Sequence, residues 1–241
     1  MKRSIFIGFD PREADAFTVC ERSIRRHLSI PAPIRAINLD DMRARGLYWR
    51  PTQYAVNERG PVMQDVISCA PMSTAFAISR FLTPVLAETG WALFMDCDML
   101  VRADLAELFA LADDRYAVMV VKHDYRPAQA AKMDNQPQTA YPRKNWSSVM
   151  LMRADHPAMK ALTVDMINTL PGRDLHSFSW LDDALIGELP REWNHLVGVN
   201  EPNPDAKIVH HTLGVPSMKG YEAAEFAAEW WAEMNGVRAC A

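Results

Sequence analysis

Trp91-Ala92-Leu93-Phe94-Met95-Asp96-Cys97-Asp98 sets five apolar residues directly ahead of two carboxylates. A short, unbroken apolar run reads as a strand buried on both faces, the kind found in a parallel sheet covered by helices. Residues i and i+2 of an extended chain project to the same side, so Asp96 and Asp98 face one point at the strand's carboxyl end. In an open α/β sheet, that end is where ligands bind. Two hard oxygen donors with open positions suit Mg²⁺ or Mn²⁺, which then bridge to substrate phosphates. The plain alternative is a pair of solvated loop acids or helix caps. A bare Asp-x-Asp arises by chance in many chains, and it is the buried strand before it that favours the metal reading.

Working outward from this strand, residues 4–8 read as another buried strand. Asp10-Pro11-Arg12-Glu13 then has the pattern of a helix start, with Asp10 as N-cap, Pro11 at the first helical position and Glu13 at the third. The helix that follows carries Phe17, Cys20, Ile24 and Leu28 at helical spacing. Residues 34–39 read as a strand, 45–70 as loop with short helical pieces, and 73–86 as a helix capped by Ser73 or Thr74 and closed by Gly90. Downstream, Asp104 opens a short helix, residues 116–121 and 149–152 are strands, and 156–170 are helical. Residues 207–211 form a short strand, and a final amphipathic helix covers 221–235 with Phe226, Trp230 and Met234 on one packing stripe. Strands alternating with helices predict an α/β fold: a single Rossmann-like domain over 1–241, its mostly parallel central sheet flanked by helices, with a C-terminal helix.

Composition narrows the function classes. The chain has 241 residues, 49% hydrophobic and 23% charged, enough to bury a core without disulfides. Its 26 Lys+Arg against 30 Asp+Glu give a formal charge of −4, which argues against nucleic acid or a polybasic membrane surface as a partner. The apolar start breaks at Asp10, too early for a secretory signal, and no run approaches the ~20 apolar residues of a membrane helix. Cys20, Cys69, Cys97 and Cys240 form no CxxC pair and no zinc spacing, the usage expected of reduced thiols in a cytoplasmic protein. A phosphatase of the haloacid type also places Asp-x-Asp after a strand, but on its first strand and followed by Thr or Val. Here the motif comes mid-chain and Met99-Leu100 follow.

The ordered motifs resemble the nucleotide-diphospho-sugar transferases of the GT-A fold, in particular glycosyltransferase family 8, from Ile5 to about Tyr221. Gly8-Phe9-Asp10 resembles that family's nucleotide-binding start, where an Asp reads the base. Residues 79–84, with Arg80, resemble the helix whose Arg approaches the donor diphosphate, and Asp96-Cys97-Asp98 resembles the metal motif. Trp146-Ser147-Ser148-Val149 resembles the Asn-Ala-Gly-Val strand that lines the sugar site. Leu181-Asp182-Asp183 resembles the Asp-Gln-Asp segment, and His210-His211-Thr212-Leu213-Gly214 the His-x-x-Gly element that supplies a third metal ligand.

Adjacent residues on a strand point to opposite sides, so only one of His210 and His211 can face the site. The resemblance favours His210. It implies a metal held by Asp96, Asp98 and His210, and donor contacts from Gly8, Asp10, Arg80, Cys97, Ser147, Ser148, Gly214 and Lys219. Asp182 would bind the sugar and Asp183 would lie beneath the anomeric carbon. The implied reaction transfers a hexose from UDP-glucose or UDP-galactose, with retention and with Mn²⁺ or Mg²⁺, to a carbohydrate, lipid-linked or protein acceptor. The length and polar, Pro-containing composition of residues 123–145, with Tyr125, Tyr141, Arg143 and Lys144, predict a loop that grips or covers that acceptor. Four departures bear on the donor: Glu13 stands where the family often has a stacking Tyr, Asp183 replaces a Gln, Trp146 and Ser147 replace Asn-Ala, and the Lys-Pro-Trp after the His-Gly element is only approximated by Pro216-Ser217-Met218-Lys219. A nucleotidyltransferase on the same fold would need a Gly-rich basic loop after the first strand, which residues 7–12 lack. A degenerate module that only binds nucleotide sugar is the other alternative.

Overall fold

The computed structural model describes residues 2–57, 60–124 and 143–236. Its centre is a six-stranded sheet. In spatial order the strands are Ile186–Glu188, Val118–Val120, Val149–Arg153, Trp91–Met95, Arg3–Phe9 and Ile34–Asn38. Three neighbouring pairs are parallel, and the two pairs made by Val149–Arg153 are antiparallel. Every residue of Trp91–Met95 is buried, as its unbroken apolar run requires of a strand with neighbours on both sides and layers on both faces. Fully burying such side chains contributes about 1.5–3 kcal/mol each.

The helix after the first strand begins as expected. Asp10 accepts from the Arg12 N–H at 2.9 Å, Pro11 starts a 3-10 turn, and the α-helix Ala14–Arg26 continues it. This helix lies against a second, three-stranded sheet in the order His195–Leu196, Ile208–His210, Met99–Val101, where the Ser23 hydroxyl receives the Val101 N–H at 3.0 Å. The C-terminal helix Ala227–Met234 packs on the same helix through buried Trp230 and an Arg26–Glu233 ion pair of 2.6 Å.

Several elements differ from the sequence reading. The stretch read as loop contains a β-hairpin, Thr52–Asn57 with Gly60–Asp65, extended by Ala70–Pro71. The helix expected over 73–86 is confined to a 3-10 turn Ser79–Leu82 and the helix Thr83–Ala87, because Pro84 can sit only in a helix's first turn. The helix expected over 156–170 is two, Pro157–Lys160 and Val164–Thr169. Thr163 caps the second by accepting from Met166 N–H and so interrupts the run. The lengths of 116–121 and 221–235 shrink to Val118–Val120 and Ala227–Met234. Among the described residues, no helix is long and apolar enough to cross a membrane. Cys20, Cys69 and Cys97 are free thiols; Cys240, Tyr125 and Tyr141 lie outside the described residues.

Candidate metal centre and donor cavity

Asp96 and Asp98 emerge where the strand Trp91–Met95 ends, and Asp96 N–H is tied to the Ser148 carbonyl at 3.0 Å. The chain turns at once into Met99–Val101, whose antiparallel register sets His210 opposite Met99. His211 N–H then donates to the Asp98 carbonyl at 3.0 Å. This pairing brings the histidine strand beside the acids: His210 Nε2 lies 3.3 Å from Asp98 Oδ1. One ligand atom each from Asp96, Asp98 and His210 falls within 4.8 Å of the others. Two hard carboxylate oxygens and one imidazole nitrogen form a donor set that fits Mg²⁺ or Mn²⁺. His211 instead has its Nε2 3.2 Å from the Glu225 carbonyl, so of the two histidines it is His210 that joins the acids.

These groups line a cavity of about 1130 Å³. Ser147, Ser148, Gly214 and Lys219, singled out from sequence, are on its wall, as are the cations Arg12 and Arg173. Arg80 is there too, but its guanidinium is engaged with protein. It holds Asp96 Oδ1 at 2.7 Å, donates to the carbonyls of Ser147 (2.9 Å) and Ala77 (3.1 Å), and lies over the rings of Phe76 and Phe94. A buried cation needs such partners.

Other predicted site residues do not reach the cavity wall. Gly8 is required by packing, since a Cβ there would lie 2.3 Å from the Phe76 ring. Asp10 is occupied by Arg12 (2.7 Å) and by the Ala75 N–H (2.8 Å). Burial pushes its carboxyl up, but these hydrogen bonds outweigh it and hold the group below the ordinary carboxylate value. Cys97 is wholly buried and donates to Glu13 Oε2 at 3.1 Å. Asp182 caps the turn Asp183–Leu185, and Asp183 is exposed and paired with Arg143. Neither lines the cavity.

Three cavity or cavity-backing groups have no site role in the sequence reading. Glu13, read from sequence as a helix-start acid and as a departure from the family, lines the cavity with its carboxyl pushed up to about 7 by burial and then by the charge of Asp98. His176 sits 2.7 Å through Nδ1 from the Ser147 hydroxyl; burial and then Arg80 push it down to about 3, so it is neutral. Asn194, wholly buried, bridges His210 Nδ1 (3.1 Å) and Ser148 Oγ (2.9 Å). No local pattern announces it, because its partners are 16 and 46 residues away.

Sequence comparison aligns the chain with Protein CDI of Arabidopsis thaliana at 46% identity over 237 residues, 96% of this chain and 85% of that protein. The chain belongs to the Protein CDI family. No family model matches it. In three dimensions it is similar to the bifunctional glycosyltransferase WbbM (TM-score 0.63, 15% identity, 98% of this chain), and it spans half of the length of that chain. It is similar over 99% of its length to the galactosyltransferase LgtC, solved with donor and acceptor sugar analogues (TM-score 0.59, 11% identity, 97% of that chain). The glycosyltransferase GlyE of Streptococcus pneumoniae matches with a TM-score of 0.58 at 13% identity, over 97% of this chain and 61% of its own. The fold of this Protein CDI relative is the GT-A glycosyltransferase fold.

Proposed function

We propose that this chain, acting as one domain, transfers a hexose from a nucleoside diphosphate sugar, UDP-glucose or UDP-galactose, to an acceptor with retention of configuration. The observation that carries the reading is the gathering of Asp96, Asp98 and His210 ligand atoms within 4.8 Å on the wall of a large cavity in a GT-A fold. Asp96, Asp98 and His210 would hold Mn²⁺ or Mg²⁺, which would supply charge neutralisation at the diphosphate and at the departing nucleotide.

The chain's own residues do the rest. Arg80 fixes Asp96 and offsets its charge from behind. Lys219 gives the cavity a cation for an anionic donor, while Arg12 and Arg173 stand on the same wall paired with Asp10 and Asp174. Ser147, held by His176, and Ser148, held by Asn194, offer hydroxyl oxygens beside the acids. Asp182 and Asp183 have no catalytic part in this reading, since both stand off the cavity wall. The acceptor is a carbohydrate, a lipid-linked sugar or a protein.

Calorimetric titration with UDP tests the proposal. Binding in Mn²⁺ is expected to be at least about tenfold tighter than in EDTA, about 1.4 kcal/mol or more, and Asp98→Ala should remove that difference. Equal UDP affinity with metal and with chelator overturns it.

A further inference from the structure

We propose that Asn194 is the positioning residue that makes His210 a metal ligand, by locking the imidazole hydrogen on Nδ1 and leaving the Nε2 lone pair toward Asp96 and Asp98. The inference rests on the metal reading above and assigns a role to a residue outside the ligand set.

The order of donors is forced. The Asn145 carbonyl can only accept, so the Ser148 hydroxyl, 2.7 Å away, gives it its single hydrogen. Ser148 Oγ can then only accept from Asn194, 2.9 Å away, which puts the amide nitrogen on the serine side. The amide oxygen is left facing His210 Nδ1 at 3.1 Å, and an acceptor there demands Nδ1–H. A neutral imidazole protonated on Nδ1 has its lone pair on Nε2, the ring atom that faces Asp98. Asn194, Ser148 and His210 are all buried, so water is a poor substitute for any link.

The lock is needed because Asp98 works against it. A carboxylate oxygen 3.3 Å from Nε2 favours a hydrogen on that nitrogen, and an Nε2–H cannot coordinate a metal. Asn194 supplies the opposing preference from the other side of the ring.

The test begins with ¹⁵N spectra of histidine-labelled, metal-free protein at pH 8, with the His210 signals assigned by their loss in His210→Asn. The wild type should show Nδ1 protonated and Nε2 bare, and Asn194→Leu should move the hydrogen to Nε2. Calorimetric Mn²⁺ binding should weaken by about 10–100-fold in Asn194→Leu. Asn194→Asp, which keeps an acceptor opposite Nδ1, should stay within about threefold of wild type. An Nε2–H form in the wild type overturns the proposal. So does wild-type Mn²⁺ affinity in Asn194→Leu, or equal weakening in Asn194→Asp, which would reveal a packing role. The wild-type spectrum needs no variant, so unfolding of Asn194→Leu leaves the proposal testable. Failure of the wild type to bind Mn²⁺ overturns the metal reading and this proposal together, whereas intact Mn²⁺ binding indifferent to residue 194 overturns this proposal alone.

Discussion

Cys97 turns its thiol onto Glu13, and with that contact a carboxyl is held inside the donor cavity close to two further acids. An unfolded Glu13 would lose its proton near pH 4.5, while in the fold it holds one up to about pH 7. Between those values the folded protein carries a proton that the unfolded chain has lost. The unfolding free energy therefore falls as pH rises across that window, and the deficit is constant above it. Glu13→Gln should be more stable than wild type by about 2 kcal/mol at pH 8, less than the full shift because Glu13 keeps part of its water. The two proteins should converge near pH 4.5 in urea unfolding with EDTA present. An equal difference at both pH values would contradict the assignment. At this scale the sequence was legible where chemistry follows local geometry. The carboxyl end of an unbroken apolar strand was enough to place Asp96 and Asp98 at one point, although the chain turns there rather than running on extended. It could not show Asn194 or His176, whose meaning comes from partners 16 to 46 residues away. Nor could it show that Arg80 is spent on Asp96, because that pairing depends on how a 3-10 turn docks on a neighbouring strand.

The hairpin Thr52–Asn57 and Gly60–Asp65 is anchored at its root by polar groups rather than by an apolar face. Arg50 is wholly buried and makes two 2.6 Å bonds to Asp65; it also donates to the carbonyls of Ile167 and Leu170. Asn168 Oδ1 accepts from the backbone of Trp49 and Arg50. Breaking such a pair strands the surviving charge, so Arg50→Met should cost about 3–5 kcal/mol in urea unfolding. A loss below about 1 kcal/mol would show that the pair does not hold the hairpin. Burial pushes Asp65 up, but its bonds from Arg50 and Ser68 outweigh that and lower it below 3.8. Its contribution is thus present above pH 3.8 and fades as pH falls through the lower folded value; Asp65→Asn should lose that part of the acid dependence. The alternation of Thr52, Tyr54 and Val56 marks a strand, yet Tyr54 and Val56 are 70% and 84% exposed. A period-2 pattern without a buried face reads as loop. Trp91–Met95 was legible to the residue because both of its faces are apolar. The three-residue strands Met99–Val101 and Ile186–Glu188 are too short to show any period.

The whole molecule assembles its site from four distant places: the strand end at 96–98, the turn at 145–148, the buried Asn194 and the strand carrying His210. The α/β class, the central sheet and the order of motifs were legible because each strand–helix step leaves a local mark. The second sheet, which delivers His210 to the acids, was not, since pairing between residues 99–101 and 208–210 is a long-range event. A formal charge of −4 gives no long-range attraction for an anionic donor. In the proposed reading, recruitment would fall to Lys219 and to the ion the acids would hold. The most direct measurement is release of UDP from UDP-glucose and UDP-galactose by purified protein with Mn²⁺, compared with EDTA and with Asp98→Ala. Slow release that requires Mn²⁺ and falls by at least about 10²-fold in Asp98→Ala is the predicted result. UDP release indifferent to metal and to Asp98, or none from either sugar, would contradict the account.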